Sequence, residues 1–228
     1  MSVKAVLFDL NETLVERSLN DAETFHRILD QKGIKIPLEK VEKALCKVKR
    51  ELKDLSEEKC GKIPLLDFHN LWNSHILKAL EIEDLNSIMK EAHSFWIDIC
   101  GIRGCSDAGL VLTSLRNKGL KTGIISGTYV EEIFKILEIG GLDITFFDII
   151  VGVDTVKKRK PDPGVFEYAL RQLHIEPEEA IYVGDDVERD YRAAERVGMN
   201  PFLLVKVQDT APEDVKKIER LIDLMYYL

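Results

Sequence analysis

No apolar run in this 228-residue chain approaches the roughly 18 residues of a membrane-crossing helix, so a pump or an embedded carrier is not expected. The opening residues Met1 to Val6 lack the basic, then apolar, then small-residue order of a secretion signal and read straight into a strand, which favours the cytoplasm. Cysteine is scarce. Cys46, Cys60, Cys100 and Cys105 form no C-x-x-C pair, which argues against a zinc site and fits reduced thiols. Histidine is scarce too, and His26, His69, His75, His93 and His174 stand at no metal-ligand spacing. Positive charge is in deficit: 32 Lys and Arg against 40 Asp and Glu give a formal charge of −8. Nucleic acid and anionic membranes are therefore poor partners, although a local anion pocket remains open.

What is present is 45% hydrophobic and 32% charged, a globular balance long enough for one or two domains with a real core. The Lys- and Glu-rich charge set resembles that of thermophile proteins. Val3 to Phe8 is a short buried-strand run that ends abruptly at Asp9. Residues 17–100 then change character. Apolar stripes at three- and four-residue spacing run through Ala22 to Leu29, Leu38 to Leu55, Leu71 to Leu80 and Leu85 to Ile99, punctuated by Pro37, Gly61 and Pro64. They predict a four-helix module without strands, with Trp72 and Trp96 in its core. From Gly101 onward strands and helices alternate. Helices are expected over 106–117, capped by Ser106 or Asp107, and over 130–138, 163–173 and 187–197. Strands are expected over 122–126, 147–152, 180–183 and 202–205, before an amphipathic stretch over 212–227. This is an α/β pattern: a Rossmann-like parallel sheet with helices on both faces, formed by 1–16 and 101–228 and interrupted by a helical insertion over 17–100.

Four polar clusters fall where strands should end: Asp9 to Thr13, Ser126-Gly127-Thr128, Lys160 to Pro163, and Gly184-Asp185-Asp186 with Asp190. Parallel strands share one C-terminal edge, so these clusters should converge. Gathered carboxylates repel unless a cation lies among them, and oxygen-only donors suit Mg²⁺. A lysine and a Ser-Gly turn would complement phosphate oxygens.

With those motifs in that order, and a helical module between the first two, the chain resembles the haloacid dehalogenase superfamily, in its branch of Mg²⁺-dependent small-molecule phosphatases. The resemblance spans essentially the whole chain. It implies that Asp9 is a nucleophile forming an aspartyl-phosphate and that Ser126 with the Gly127 N–H holds a phosphoryl oxygen. It further implies that Lys160 neutralises charge, and that Asp9, the Asn11 carbonyl and Asp185 hold Mg²⁺. Thr13, Asp186 and Asp190 would support them, the last two by positioning metal waters or orienting Lys160. The module over 17–100 becomes a cap that closes over a small phosphorylated substrate.

One position departs from that family. Asn11 stands where its phosphatases carry a second aspartate that protonates the leaving oxygen and then activates water, work worth about 10²–10⁴-fold. Glu12, where the family often has glycine, and Asp186 are the nearest replacement carboxylates. A slow enzyme, or a non-catalytic binder of phosphorylated ligands, remains as an alternative. A 2-haloacid dehalogenase is disfavoured because that branch lacks a Gly-Asp-Asp metal cluster. Arg17 and Arg103 are candidates to reach a substrate anion.

Overall fold

In the computed structural model, residues 2–83, 95–206 and 211–228 are described. Two compact units divide the chain, Met1–Glu16 with Arg103–Leu228, and Arg17–Ile102.

The first unit is built on a parallel sheet. Its strands are β1 (Ala5–Phe8), β4 (Lys121–Ile125), β5 (Ile149–Val151), β6 (Ala180–Gly184), β7 (Asn200–Leu204) and β8 (Lys217–Ile218), in the order β5-β4-β1-β6-β7-β8. All four residues of β1 are 0% exposed, as expected of a strand covered on both faces. In register, Leu7 lies level with Gly123 of β4 and Tyr182 of β6. Gly123 has to be glycine: a Cβ there would come 2.4 Å from Ile149 Cγ2 and 2.8 Å from Leu7 Cδ2. The direction of strand addition reverses between β1 and β6, so a crevice is expected outside their carboxyl ends. Around the sheet run α5 (Ala108–Asn117), α6 (Val130–Ile139), the short α7 (Val153–Val156), α8 (Gly164–Leu173) and α9 (Arg192–Arg196). Phe166, Ala169 and Leu170 of α8 pack with Leu7, Ile125 and Tyr182 in one core cluster.

The second unit holds α1 (Asp21–Gln31), α2 (Leu38–Glu51), α3 (Lys53–Lys59) and α4 (Leu65–Ala79), with a further helical turn over 95–99. Asn20 and Glu23 close a reciprocal capping box on α1. Phe25, Leu29, Val41, Val48 and Leu77 form its core, and Trp72 and Trp96 pack on that core half-buried. Residues 85, 88, 89 and 92 of the fourth stripe, and His93, lie outside the described residues.

Several local expectations need correction. The stripe from Leu38 to Leu55 is two helices, because the chain leaves helical geometry at Leu52 (φ −94°, ψ 4°) and resumes at once, leaving the apolar phase intact. At the margins of the module lies a short pairing outside the expected pattern: β2 (Val15–Arg17) pairs with β3 (Ile102–Gly104), with Arg17 as the one residue inside 17–100. Asp107, one of the two expected residues, does stand at the N-cap of α5, but its carboxylate accepts the Ile222 N–H at 2.9 Å and makes no bond to the helix. The helix expected over 187–197 begins as a π-turn over Val187–Tyr191 before α9. The stretch near the C-terminus contributes β8 and a 3₁₀ run over Leu221–Tyr227.

Candidate active site

Asp9 directly follows β1, and its N–H bonds Val183 O at 2.8 Å, which fixes the backbone level with the end of β6. Ser126 follows β4 in the same way, its N–H on Val151 O at 2.9 Å. Asp185 follows β6. The three strand ends therefore deliver a carboxylate, a hydroxyl and a second carboxylate to one edge.

Lys160 arrives from the loop between α7 and α8 and is 6% exposed. Its ammonium donates to Asp9 Oδ1 at 2.6 Å, to Tyr182 Oη at 2.8 Å and, in a short bond, to Asp190 Oδ1. Three donors thus meet three acceptors, which is how a buried charge is tolerated. Burial alone would lower the Lys160 pKa, but the charges of Asp9 and Asp190 outweigh it and hold the group above its ordinary value. Asp190 is aimed by the π-turn, an irregularity often found at functional sites. Its Oδ2 accepts the Asp186 N–H at 3.0 Å.

Burial, partly offset by Lys160 and reinforced by Asp190, pushes Asp9 up to about 6. Burial followed by the charges of Asp9 and Asp190 pushes Asp185 up to about 7. Both shifts arise first from burial, and the neighbouring carboxylates add to them. Carboxylate oxygens of Asp9, Asp185 and Asp190 lie within 4.8 Å of one another. An all-oxygen donor set with surplus negative charge fits a hard divalent cation. Because Asp190 is committed to Lys160 and to the Asp186 N–H, Asp9 and Asp185 are the carboxylates with capacity to spare.

Ser126 Oγ and Thr13 Oγ1 are buried hydroxyl oxygens without a hydrogen-bond partner. An orphaned hydroxyl at the strand end, such as Ser126 after β4, is what an incoming oxyanion would satisfy. At Gly127 a Cβ would meet nothing within 4 Å, so the turn leaves open space beside that hydroxyl.

The other sequence candidates fall elsewhere. Asn11 Nδ2 donates to Thr128 Oγ1 at 3.2 Å and so ties the first cluster to the second. Glu12 occupies left-handed backbone (φ 61°), which explains why glycine suits that place, and its carboxylate is ion-paired with Lys206. Asp186 accepts the Glu188 and Arg189 N–H groups and is ion-paired with Arg189 at 2.9 Å, so it caps the turn while Asp190 is the one that reaches Lys160. Arg17 is engaged with Asp21 at 2.8 Å and Arg103 with Glu16 at 3.3 Å. Sequence reading missed Tyr182. Its hydroxyl joins Lys160 and reaches Ile125 O at 3.1 Å and Asp190 Oδ1 at 3.2 Å. The available signal was a phenol in an otherwise aliphatic buried strand, since a buried Tyr O–H needs a partner.

A family model for haloacid dehalogenase-like hydrolases matches residues 3–198. A glyceraldehyde 3-phosphate phosphatase of Methanopyrus kandleri is 28% identical over 220 residues, covering 93% of this chain and 89% of that protein. Haloacid dehalogenase-like hydrolase domain-containing protein 3 of Danio rerio is 26% identical over 208 residues, with 89% and 85% covered. Among solved structures, the magnesium-bound HAD-hydrolase YfnB of Bacillus subtilis superposes with a TM-score of 0.76 at 18% identity, covering 100% of this chain and 99% of that one. That likeness speaks for the fold.

Proposed function

The chain belongs to the haloacid dehalogenase-like hydrolases, and within that family we propose that it is a Mg²⁺-dependent hydrolase of small phosphate monoesters. The helical unit, as a cap, would select the substrate. The observation that carries the reading is the Lys160 ammonium held between Asp9 and Asp190, with the orphaned Ser126 hydroxyl following a strand of the same sheet.

In this reading an Asp9 oxygen attacks phosphorus and forms an O–P bond, while the ester P–O bond breaks with its electron pair on the alcohol oxygen, which takes its proton from solvent. Lys160, Ser126 Oγ and the Gly127 N–H take the charge of the transferring oxygens, and Asp190 with Tyr182 keeps the ammonium aimed. Asp9, the Asn11 carbonyl and Asp185 would hold the cation, which supplies positive charge to the carboxylates and the phosphoryl group. Water then attacks phosphorus, and the bond to Asp9 breaks to give inorganic phosphate and the free carboxylate. Asn11 has no proton to exchange at either step, so turnover is slow. The same residue favours a second reading, a protein that binds a phosphorylated ligand without hydrolysing it.

Phosphate release from a panel of small esters, with Mg²⁺ and with chelator, tests the proposal. Metal-dependent release that disappears in Asp9→Asn supports it. Mg²⁺-dependent ligand binding without release, in this chain and in Asn11→Asp alike, supports the second reading.

A further inference from the structure

A leaving oxygen must either receive a proton or depart as an anion. We infer that this site is built for phosphate donors whose leaving group is already a stable anion, acyl phosphates foremost, and that the phosphoryl group then persists on Asp9. The inference rests on the reading of Asp9 as nucleophile.

It comes from the groups around Asp9 taken one at a time. The Asn11 amide donates a hydrogen bond, now to Thr128 Oγ1, but carries no proton that it can release. Glu12 is turned into an ion pair with Lys206. Asp186 is spent on two backbone N–H groups and Arg189. Both oxygens of Asp190 are occupied, one by Lys160 and one by the Asp186 N–H. Lys160 is an ammonium clamped by two carboxylates, and losing its proton would leave both unopposed. Tyr182 points its hydroxyl at Ile125 O and Asp190. Asp185 is the remaining carboxylate, and its place is with the cation. Among the described residues, then, the groups around Asp9 are suited to bind a phosphoryl group and poorly suited to hand over a proton.

The chemistry follows from that imbalance. With an alkyl phosphate, breaking the P–O bond expels an alkoxide, which needs a proton. With an acyl phosphate the same step forms the Asp9–phosphorus bond and releases a carboxylate that keeps the bonding electron pair. A carboxylate with a conjugate-acid pKa of about 4 needs no proton near neutral pH. An amide N–H can stabilise such an anion by hydrogen bonding. In the second half, water bonds to phosphorus and Asp9 leaves as its own carboxylate. The proton of the water passes to solvent or to a phosphate oxygen without help from a base, so this step is slowed by about 10²–10⁴-fold. The phosphoenzyme therefore accumulates.

Rapid-quench measurements on the full chain with Mg²⁺ test this, using acetyl phosphate, a series of aryl phosphates graded in leaving-group pKa, and glycerol phosphate. Phosphoryl transfer is read as the mass of the Asp9 peptide. The expected result is a burst approaching one phosphoryl group per chain from acetyl phosphate, then slow phosphate release. Rates across the aryl series should fall steadily as the leaving-group pKa rises, and glycerol phosphate should be slower than acetyl phosphate by at least about 100-fold. Asn11→Asp should flatten the series and abolish accumulation. A flat series in the unsubstituted chain, or glycerol phosphate as good as acetyl phosphate, overturns the inference alone. So does hydrolysis of glycerol phosphate by Asn11→Asp while the unsubstituted chain ignores acetyl phosphate. Silence from both proteins with every donor overturns the nucleophile reading and this inference with it.

Discussion

Gly184 has no side chain because Asp190 occupies its space: a Cβ on Gly184 would come 2.4 Å from Asp190 Cγ and 2.5 Å from Asp190 Oδ2. The strand end and the π-turn are thereby packed so closely that the Asp190 carboxylate is pressed onto Lys160. Gly184→Ala must displace that carboxylate. Phosphoryl transfer is expected to fall by about 10²-fold, the scale of a small misplacement near the chemistry, while the sheet still forms. Circular dichroism and a rapid-quench rate check the two halves, and an unchanged rate would mean that Asp190 does not aim Lys160.

Removing the cation is harsher. Lys160→Met leaves Asp9 and Asp190 buried without their counter-charge, and breaking a buried pair in this way costs about 3–5 kcal/mol. Urea titration should show that loss near pH 8. It should shrink near pH 5, where Asp9, raised to about 6 mainly by burial, can take up a proton in the folded state. A Lys160→Met protein as stable as the parent at pH 8 would contradict the geometry.

Ser126→Ala separates binding from stability. The hydroxyl makes no hydrogen bond in the folded chain, so deleting it should leave stability unchanged or improve it by up to about 1 kcal/mol. Affinity for inorganic phosphate, read by calorimetry with Mg²⁺ present, should fall by about tenfold or more, the worth of a hydrogen bond to a charged oxygen. Equal affinity in both proteins would remove Ser126 from the phosphate site.

The carboxylate cluster sets a pH dependence of known sign. Asp185 is raised from 3.8 to about 7 by burial and then by the charges of Asp9 and Asp190, so the metal-free fold prefers it protonated. Below about pH 4 the group is protonated folded or unfolded and changes nothing. Between about pH 4 and 7 the unfolded chain ionises it first, and stability is lost as pH rises. Asp9, raised to about 6, acts in the same direction. In chelator, the melting temperature of Asp185→Asn should exceed that of the parent by a margin that widens from pH 5 to pH 8. Mg²⁺ should stabilise the parent at pH 8 and the variant much less. A margin independent of pH would sink this assignment.

How far the sequence carried can be judged residue by residue. Asp9, Ser126, Lys160 and Asp185 were legible because short buried strands ending in polar residues announce a parallel-sheet edge, and the structure brings these four clusters to one edge. Tyr182 was not, because within a strand it reads as core, and only the spatial meeting with Lys160 reveals the hydroxyl's work. The separate tasks of Asp186 and Asp190 were undecidable from spacing, since a π-turn rather than an α-turn changes which carboxylate points inward. The pairing of β2 with β3 escaped because three residues are too few for a period to show. The break at Leu52 escaped because the apolar stripe passes through it in phase.

The central claim is that Asp9 attacks phosphorus, and following an oxygen isotope tests it most directly. A single-turnover reaction with acetyl phosphate and Mg²⁺ in ¹⁸O-labelled water, followed by mass analysis of the Asp9 peptide and of the released phosphate, gives the answer. The account predicts an Asp9 peptide that first gains a phosphoryl group and then loses it, with label in inorganic phosphate and none in Asp9, because water attacks phosphorus and leaves the carboxylate oxygens in place. Label incorporated into the Asp9 carboxylate, as attack on an ester carbon would give, or phosphate released at an unchanged rate by Asp9→Asn, would contradict it.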